Sequence, residues 1–207
     1  MDGRFIVVEG IDGAGKDTQI ARIRGLLEAT GREVLITHEP GGTELSDKIR
    51  ALLLDHRNTG MGEDTELLLM FAARAEHLRQ RIRPALARGA WVLSHRFTDS
   101  SYAYQGGGRG IAVGRIAALE DWVQGALRPD LTVVLDLDVD TALQRVGKRG
   151  ARDRFEAETR GFFQRARNTF LARARAEPAR YLVVDAGSPV DTVWSTLEAG
   201  LRARLAL

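Results

Sequence analysis

The 207-residue chain contains no cysteine. That excludes disulfides and thiolate metal sites, and it suits a reducing cytoplasm. No apolar run approaches the ~20 residues that a membrane span needs. Met1-Asp2-Gly3-Arg4 runs straight into a short apolar segment, without a basic leader or cleavage-site pattern, so no signal peptide is expected. Lysine is scarce: Lys16, Lys48 and Lys148 are the only three among 30 basic residues. Arginine supplies the rest, spread among acids, and the net charge is only +2 although the sequence pI is 9.3. With 6% aromatic residues, the chain has neither the basic stripe nor the stacking platforms of a nucleic-acid-binding module. The one clear basic cluster runs from Lys148 to Arg154. None of the four histidines has the neighbours of a hydrolytic triad or a metal cage, and His56 and His77 read as surface or packing residues.

What is present is an apolar fraction of 44%, enough for one compact α/β domain. Apolar runs and helical periodicities alternate along it. Phe5–Glu9 reads as a buried strand, Lys16–Thr30 as a helix stopped by Gly31, Glu33–Thr37 as a second strand and Leu45–Leu54 as a helix. Glu63–Arg88 reads as a long helix that bends or ends near Pro84, with Leu67, Leu68, Phe71, Leu78 and Ile82 inward. Ala90–Ser94, Leu131–Leu137 and Tyr181–Asp185 complete five strands. Helices are predicted over Ile111–Leu127, from Thr141 to Val146, and over Glu156–Glu177 and Val190–Leu205. Strands separated by helices predict a parallel sheet covered on both faces, with ligands bound beyond the carboxyl ends of the strands. Nothing divides the chain into separate domains.

Gly10-Ile11-Asp12-Gly13-Ala14-Gly15-Lys16 fits the G-x-x-x-x-G-K phosphate loop. A strand delivers the chain to a glycine-rich turn whose N–H groups wrap a phosphate, and the next helix offers its amino end to the same anion. Lys16 then reaches the β and γ phosphates of a bound nucleotide. The pattern wants Ser or Thr after the lysine as a magnesium ligand, but Asp17 stands there, followed by Thr18. A carboxylate is also an oxygen ligand, so Asp17 becomes the candidate Mg²⁺ ligand.

Three further segments fall at the same sheet edge: Glu39-Pro40-Gly41-Gly42-Thr43, Arg96 to Gly110, and Arg149 to Glu156. With the phosphate loop, and in this order, the E-P-G-G-T, S-S-x-A-Y-Q-G and D-R-F-E motifs resemble the bacterial thymidylate kinase family from Phe5 to about Asp185. The resemblance implies a three-layer P-loop fold with a five-stranded parallel sheet in the order 2-3-1-4-5 and a mobile lid at about residues 147–156. It implies ATP as phosphoryl donor, deoxythymidine monophosphate (dTMP) as acceptor, Mg²⁺ as cofactor and a homodimer packed through helices.

Carried over position by position, the resemblance implies that Asp12 contacts the sugar 3′-hydroxyl and that Glu39 and Pro40 belong to the acceptor side. Arg50 and Arg74 face the monophosphate substrate, and Arg74 reads the base carbonyl. Met70 stands where family members often carry a phenylalanine stacked on thymine, with Phe71 beside it. Arg96 bridges the acceptor phosphate and the transferring group. Ser101 and Gln105 surround the base, and Tyr104 packs on the deoxyribose, where it would crowd a 2′-hydroxyl. Lys148, Arg149, Arg152 and Arg154 fall in the lid, where the catalytic arginines of members with a plain glycine-type phosphate loop sit; Arg149 and Arg154 are the candidates for catalysis and Arg152 for ATP binding. Three positions depart from the family pattern: Asp17, His95 in place of an aspartate before Arg96, and His38 in place of an arginine before Glu39. A gained acid and a lost acid on the same side suggest that Asp17 compensates for His95. Two other readings stay open, a nucleotide-binding homologue with impaired catalysis and a kinase for another deoxynucleoside monophosphate.

Overall fold

The computed structural model describes residues 3–148 and 153–207. Five strands, β1 (Phe5–Glu9), β2 (Val34–His38), β3 (Trp91–His95), β4 (Leu131–Asp136) and β5 (Tyr181–Asp185), form one parallel sheet in the order β2-β3-β1-β4-β5. The order is the one the family resemblance implies. Alternation along β1 separates the two layers beside the sheet, because successive side chains leave a strand on opposite faces. Phe5 and Val7 join Leu78, Ile82, Ala85 and Phe97 on one face, whereas Ile6 and Val8 join the larger cluster with Ile23, Leu27, Phe163 and Leu197 on the other.

The helices are α1 (Lys16–Glu28), α2 (Glu44–Leu54), α3 (Glu63–His77), α4 (Arg83–Ala87), α5 (Thr98–Ser101), α6 (Val113–Gln124), α7 (Val139–Gly147), α8 (Arg160–Ala176) and α9 (Val190–Leu205). The predicted helix over 63–88 is one path with a defect. A π-helical stretch, Leu78–Ile82, separates α3 from α4. Pro84 in the first turn of α4 has no N–H to give to the preceding turn, and the wider winding falls just before it. Leu68, expected inward, is 56% exposed, while Leu67 and Phe71 are buried. Adjacent residues on a helix lie about 100° apart, so the Leu67-Leu68-Leu69 run cannot turn every side chain to one core.

The segment after β3, for which the pattern predicts no regular element, winds into α5 and then a π-helical stretch, Tyr102–Gly108. Gly108 lets this stretch close on α8, since a Cβ there would lie about 2.3 Å from the ring of Phe162. α8 starts at Arg160 rather than Glu156. Asp153 Oδ1 takes the N–H groups of Phe155 and Glu156 into a turn, and Thr159 caps the helix by accepting from Phe162 N at 3.2 Å.

Candidate functional site

Residues 10–15 carry the chain from β1 into α1. Gly13 takes φ 86° and sits so close to α7 that a Cβ would lie 2.6 Å from the Ala142 carbonyl oxygen, so a side chain is excluded twice over. Ile11 and Ala14 bury their side chains in the core and face the loop only through their backbone. α1 has no side-chain cap, which leaves its first N–H groups available to an anion. Lys16 Nζ folds back on the Gly10 and Ile11 carbonyls, both at 3.0 Å. Burial first, and then the charge of Arg96, push this ammonium down to about 7.

Arg96 is the centre of the arrangement. It follows β3 with φ 69°, a left-handed conformation that is costly for a residue with a Cβ. Its neighbours hold that turn: Ser94 Oγ donates to the Arg96 carbonyl at 2.8 Å, and Glu9 accepts from Phe97 N at 2.8 Å and from Ser100 Oγ at 2.7 Å. The guanidinium reaches Asp12 Oδ1 at 2.5 Å, Gly10 O at 3.1 Å and Ser100 Oγ at 3.1 Å, and lies 4.9 Å from the centre of the Tyr104 ring. Tyr104 donates its hydroxyl to Asp12 Oδ2 at 2.9 Å. Burial alone would raise the Asp12 carboxyl, but Arg96, Lys16 and Tyr104 outweigh it and hold it well below the usual carboxylate range.

Glu9 shows the opposite balance. It is fully buried, and burial outweighs Arg96 and lifts its carboxyl to about 7. Below the ordinary value of 4.5 the group is protonated in both the folded and the unfolded chain. Between 4.5 and about 7 the folded chain holds a proton that the unfolded chain has lost, so this contribution to stability disappears as pH rises through about 7. Glu9→Gln is therefore expected to remove up to about 3 kcal/mol of pH dependence over that window. Urea unfolding at pH 4.5 and 7.5 would show it, and parallel pH profiles for the two proteins would refute it.

A second polar group is built around Arg74. Its guanidinium is 3% exposed and lies between the rings of Phe71 and Phe97, 4.5 and 5.2 Å away. Nε donates to Glu39 Oε2 at 2.7 Å, and Nη2 donates to Ser101 Oγ at 3.0 Å and to the Phe97 carbonyl at 3.3 Å. Nη1 has no partner within the described protein. Glu39 is shared with His77 Nδ1 at 2.9 Å, and His77 Nε2 meets Thr37 Oγ1 at 2.6 Å. Burial opposes the ionised form of Glu39, but Arg74 and His77 prevail and lower its pKa. Arg50 reaches the Pro40 carbonyl from α2 at 2.9 Å.

Asp12, Lys16, Glu39, Arg50, Arg74, Arg96 and Tyr104 meet in one cavity of about 940 Å³. Lys16, Asp17, Arg50, Arg96, Arg74 and Gln105 are all on its wall. Met70 is on its wall. Phe71 is not. It is buried with Leu67, Tyr102 and Ile116, about 100° further round α3, and supports Arg74 from beneath, which corrects its assignment as a base contact. Thr18 is exposed outside the wall, and Asp17 is 85% exposed on it.

Arg154, expected to face the phosphates, is buried elsewhere. It pairs with Glu66 at 2.7 Å, donates to the Leu53 carbonyl at 2.8 Å and stacks 4.5 Å from the Phe155 ring centre. A guanidinium removed from water needs a carboxylate, and the buried Glu66 supplies one. Arg149 and Arg152 lie outside the described residues. Sequence reading passed over Glu9 and Glu66. An acid ending an otherwise apolar buried strand must meet donors, which was the available signal for Glu9. Glu66, in the first turn of a helix, reads as an ordinary dipole-favoured acid and gives no such signal.

The family model described as thymidylate kinase matches residues 8–196. A thymidylate kinase of Pseudomonas fluorescens is 57% identical over 199 residues, covering 96% of this chain and 95% of its own length. One of Alkalilimnicola ehrlichii is 56% identical over 200 residues, covering 96% and 92%. The crystal structure of thymidylate kinase from Ehrlichia chaffeensis superposes with a TM-score of 0.79 at 32% identity, covering 98% of this chain and 99% of that one. The phosphate loop, the Arg96 bridge and the Arg74 pocket thus stand on a chain that belongs to the thymidylate kinase family.

Proposed function

We propose that this protein transfers the γ-phosphoryl group of ATP to the phosphate of dTMP, yielding ADP and dTDP. The observation that carries this reading is the cavity shared by Lys16, Arg96 and Arg74, together with the buried Nη1 of Arg74 that has no protein partner. The phosphate loop takes the donor phosphates. The free donor of Arg74 meets a base carbonyl, and Tyr104 and Asp12 flank the sugar. An oxygen of the acceptor phosphate attacks the γ-phosphorus in line, and the bond to the β-bridging oxygen breaks. No enzyme nucleophile is required. Positioning dominates, and Arg96 lies where two polyanions must be held together. Arg149 and Arg152, in a lid at about residues 147–156, are the further cations of this reading.

Magnesium fits as an ion carried by the nucleotide. Among the described residues no group of three or more metal-ligating side chains forms a protein cage. One exposed carboxylate, Asp17, stands beside the phosphate loop. Mg²⁺ commonly binds through one or two carboxylates plus substrate phosphates and water. Asp17 would hold it, and the ion would neutralise phosphate charge.

The test is ADP formation measured with each deoxynucleoside monophosphate in turn, with and without magnesium. Turnover that requires both dTMP and the metal is the expected result. Turnover with a different monophosphate would reassign the substrate, and binding without turnover would establish the impaired homologue.

His95 and Asp17 also make a prediction. His95 Nε2 lies 3.8 Å from Asp17 Oδ1. Burial, then Lys16 and Arg96, push the imidazole down to about 2, so it is neutral at physiological pH. His95→Asp alone would set two carboxylates against each other, a conflict that Asp17→Thr relieves. The double reversion is expected to exceed the product of the two single effects on kcat/KM by about fivefold, a coupling near 1 kcal/mol. Independent effects of the two changes would end the compensation idea.

A homodimer and a cytoplasmic setting belong to the same reading. No helix among the described residues is long and apolar enough to cross a membrane. Leu45 and Leu52, two turns apart on α2, and Leu68 on the adjoining α3 are more than half exposed. A second copy of this chain covers them in the proposed dimer. Leu68→Glu should lower the mass measured by light scattering from dimer to monomer, and an unchanged mass would place the interface elsewhere.

A further inference from the structure

Gln105 and Glu66 carry an inference about selectivity that rests on the dTMP reading. Gln105 lines the cavity yet is 1% exposed. Its side-chain amide can be turned two ways, and the two orientations present opposite hydrogen-bonding faces to a base. Here the choice is dictated from behind. Glu66, also 1% exposed, accepts from Gln105 Nε2 at 2.8 Å. The same carboxylate is bracketed by Arg154 at 2.7 Å and Arg109 at 3.2 Å. A carboxylate held by two guanidinium groups only accepts, so the amide must turn its NH₂ toward Glu66 and leave Oε1 for the cavity.

Arg74 belongs to the same wall. Its Nη2 donates to Ser101, one turn before Gln105, and its Nη1 is left without a partner. Glu66 and Arg74 both stand on α3, eight residues apart. The wall therefore offers a base one donor from Arg74 and one acceptor from Gln105. Thymine presents a carbonyl acceptor at O4 beside an N3–H donor, which is the complement. Cytosine presents an amino donor and a bare N3 acceptor, so it meets a like group at both places.

We propose that Glu66 is a positioning residue for base selectivity, acting through Gln105: it locks the amide so that only a base with a protonated N3 is accepted. Arg154 and Arg109 hold the lock in its acceptor-only state. This gives the buried arginine of the D-R-F-E motif a part in recognition of the acceptor instead of contact with phosphate.

Glu66→Gln tests the lock, because a glutamine at 66 can offer either a carbonyl or an amino group and so permits both orientations of Gln105. The measurement is the ratio of dissociation constants for dCMP and dTMP, by titration calorimetry without ATP. The ratio is expected to fall about tenfold, through tighter dCMP as well as weaker dTMP. Arg74 still opposes the cytosine amino group, so selectivity falls without vanishing. The double variant Glu66→Gln/Arg154→Gln removes both charges of the buried pair and repeats the test should the single variant not fold. Loss of affinity for both nucleotides by the same factor would reduce Glu66 to a packing role and overturn the lock alone. Equal binding of dCMP and dTMP by the unmodified chain would overturn the dTMP reading as well.

Discussion

Arg96→Ala should lower kcat by about 10³-fold while changing the KM of either nucleotide only a few-fold. The guanidinium is held by Asp12 and Gly10 of the phosphate loop and by Ser100, and in the proposed reaction it bridges donor and acceptor phosphates. It is therefore set before substrate arrives, and little reorganisation is needed as charge develops on the transferring group. Such preorganisation acts most strongly in the transition state, so its loss falls on kcat. Arg96→Lys should recover little, since an ammonium cannot bridge two anions with a planar fork. The chain should stay folded, because Asp12 keeps Tyr104 at 2.9 Å and Lys16 at 3.9 Å. Steady-state kinetics with saturating ATP and dTMP, beside a thermal unfolding curve, would decide the matter. A kcat within threefold of the unmodified protein would remove Arg96 from the phosphoryl bridge.

The parts that could be read from the chain are those in which a local pattern and a physical need coincide. Glycines spaced around a lysine after a buried strand and before a helix match a phosphate loop, and the structure folds residues 10–16 between β1 and α1. Tyr181–Asp185 and Val190–Leu205 coincide with predicted elements because apolar spacing changes sharply at their ends. The misses have two origins. Phe71 and Met70 differ by one helical step, and composition does not say which of two adjacent apolar side chains faces a cavity. Leu68 was misplaced for the same reason. The phosphate-facing expectation for Arg154 comes from the resemblance to the family's lid, whereas the fold buries this side chain. Its partner Glu66 lies 88 positions earlier in sequence, and no local pattern links the two. The left-handed turn at Arg96 is equally silent in sequence. It depends on Glu9 and Ser94, residues contributed by two strands that only the finished sheet brings together.

Arg74→Met should damage recognition and stability together, and the two effects can be separated. The guanidinium is buried against two rings and satisfies Glu39. Its removal leaves a buried carboxylate with His77 as its remaining close partner at 2.9 Å. Breaking one side of a buried ion pair typically costs 3–5 kcal/mol, and the surviving imidazole contact points to the lower end, about 3 kcal/mol. In a chain of this size that corresponds to a fall in Tm of roughly 6–12 °C. The recognition effect comes from Nη1, the donor left without a protein partner. Losing a charged hydrogen bond to the substrate should raise the KM for dTMP by about 10²-fold. The KM for ATP should stay within threefold, because Arg74 makes its polar contacts with Glu39, Ser101 and the Phe97 carbonyl and none with the phosphate loop. Assays at 20 °C, below the lowered transition, keep the two effects apart. A normal KM for dTMP in a destabilised protein would show that Arg74 only supports Glu39, and that the base is read by other groups. A raised KM for both nucleotides would mean that loss of the buried pair loosens the whole cavity, and the assignment of Nη1 to the base would then fail.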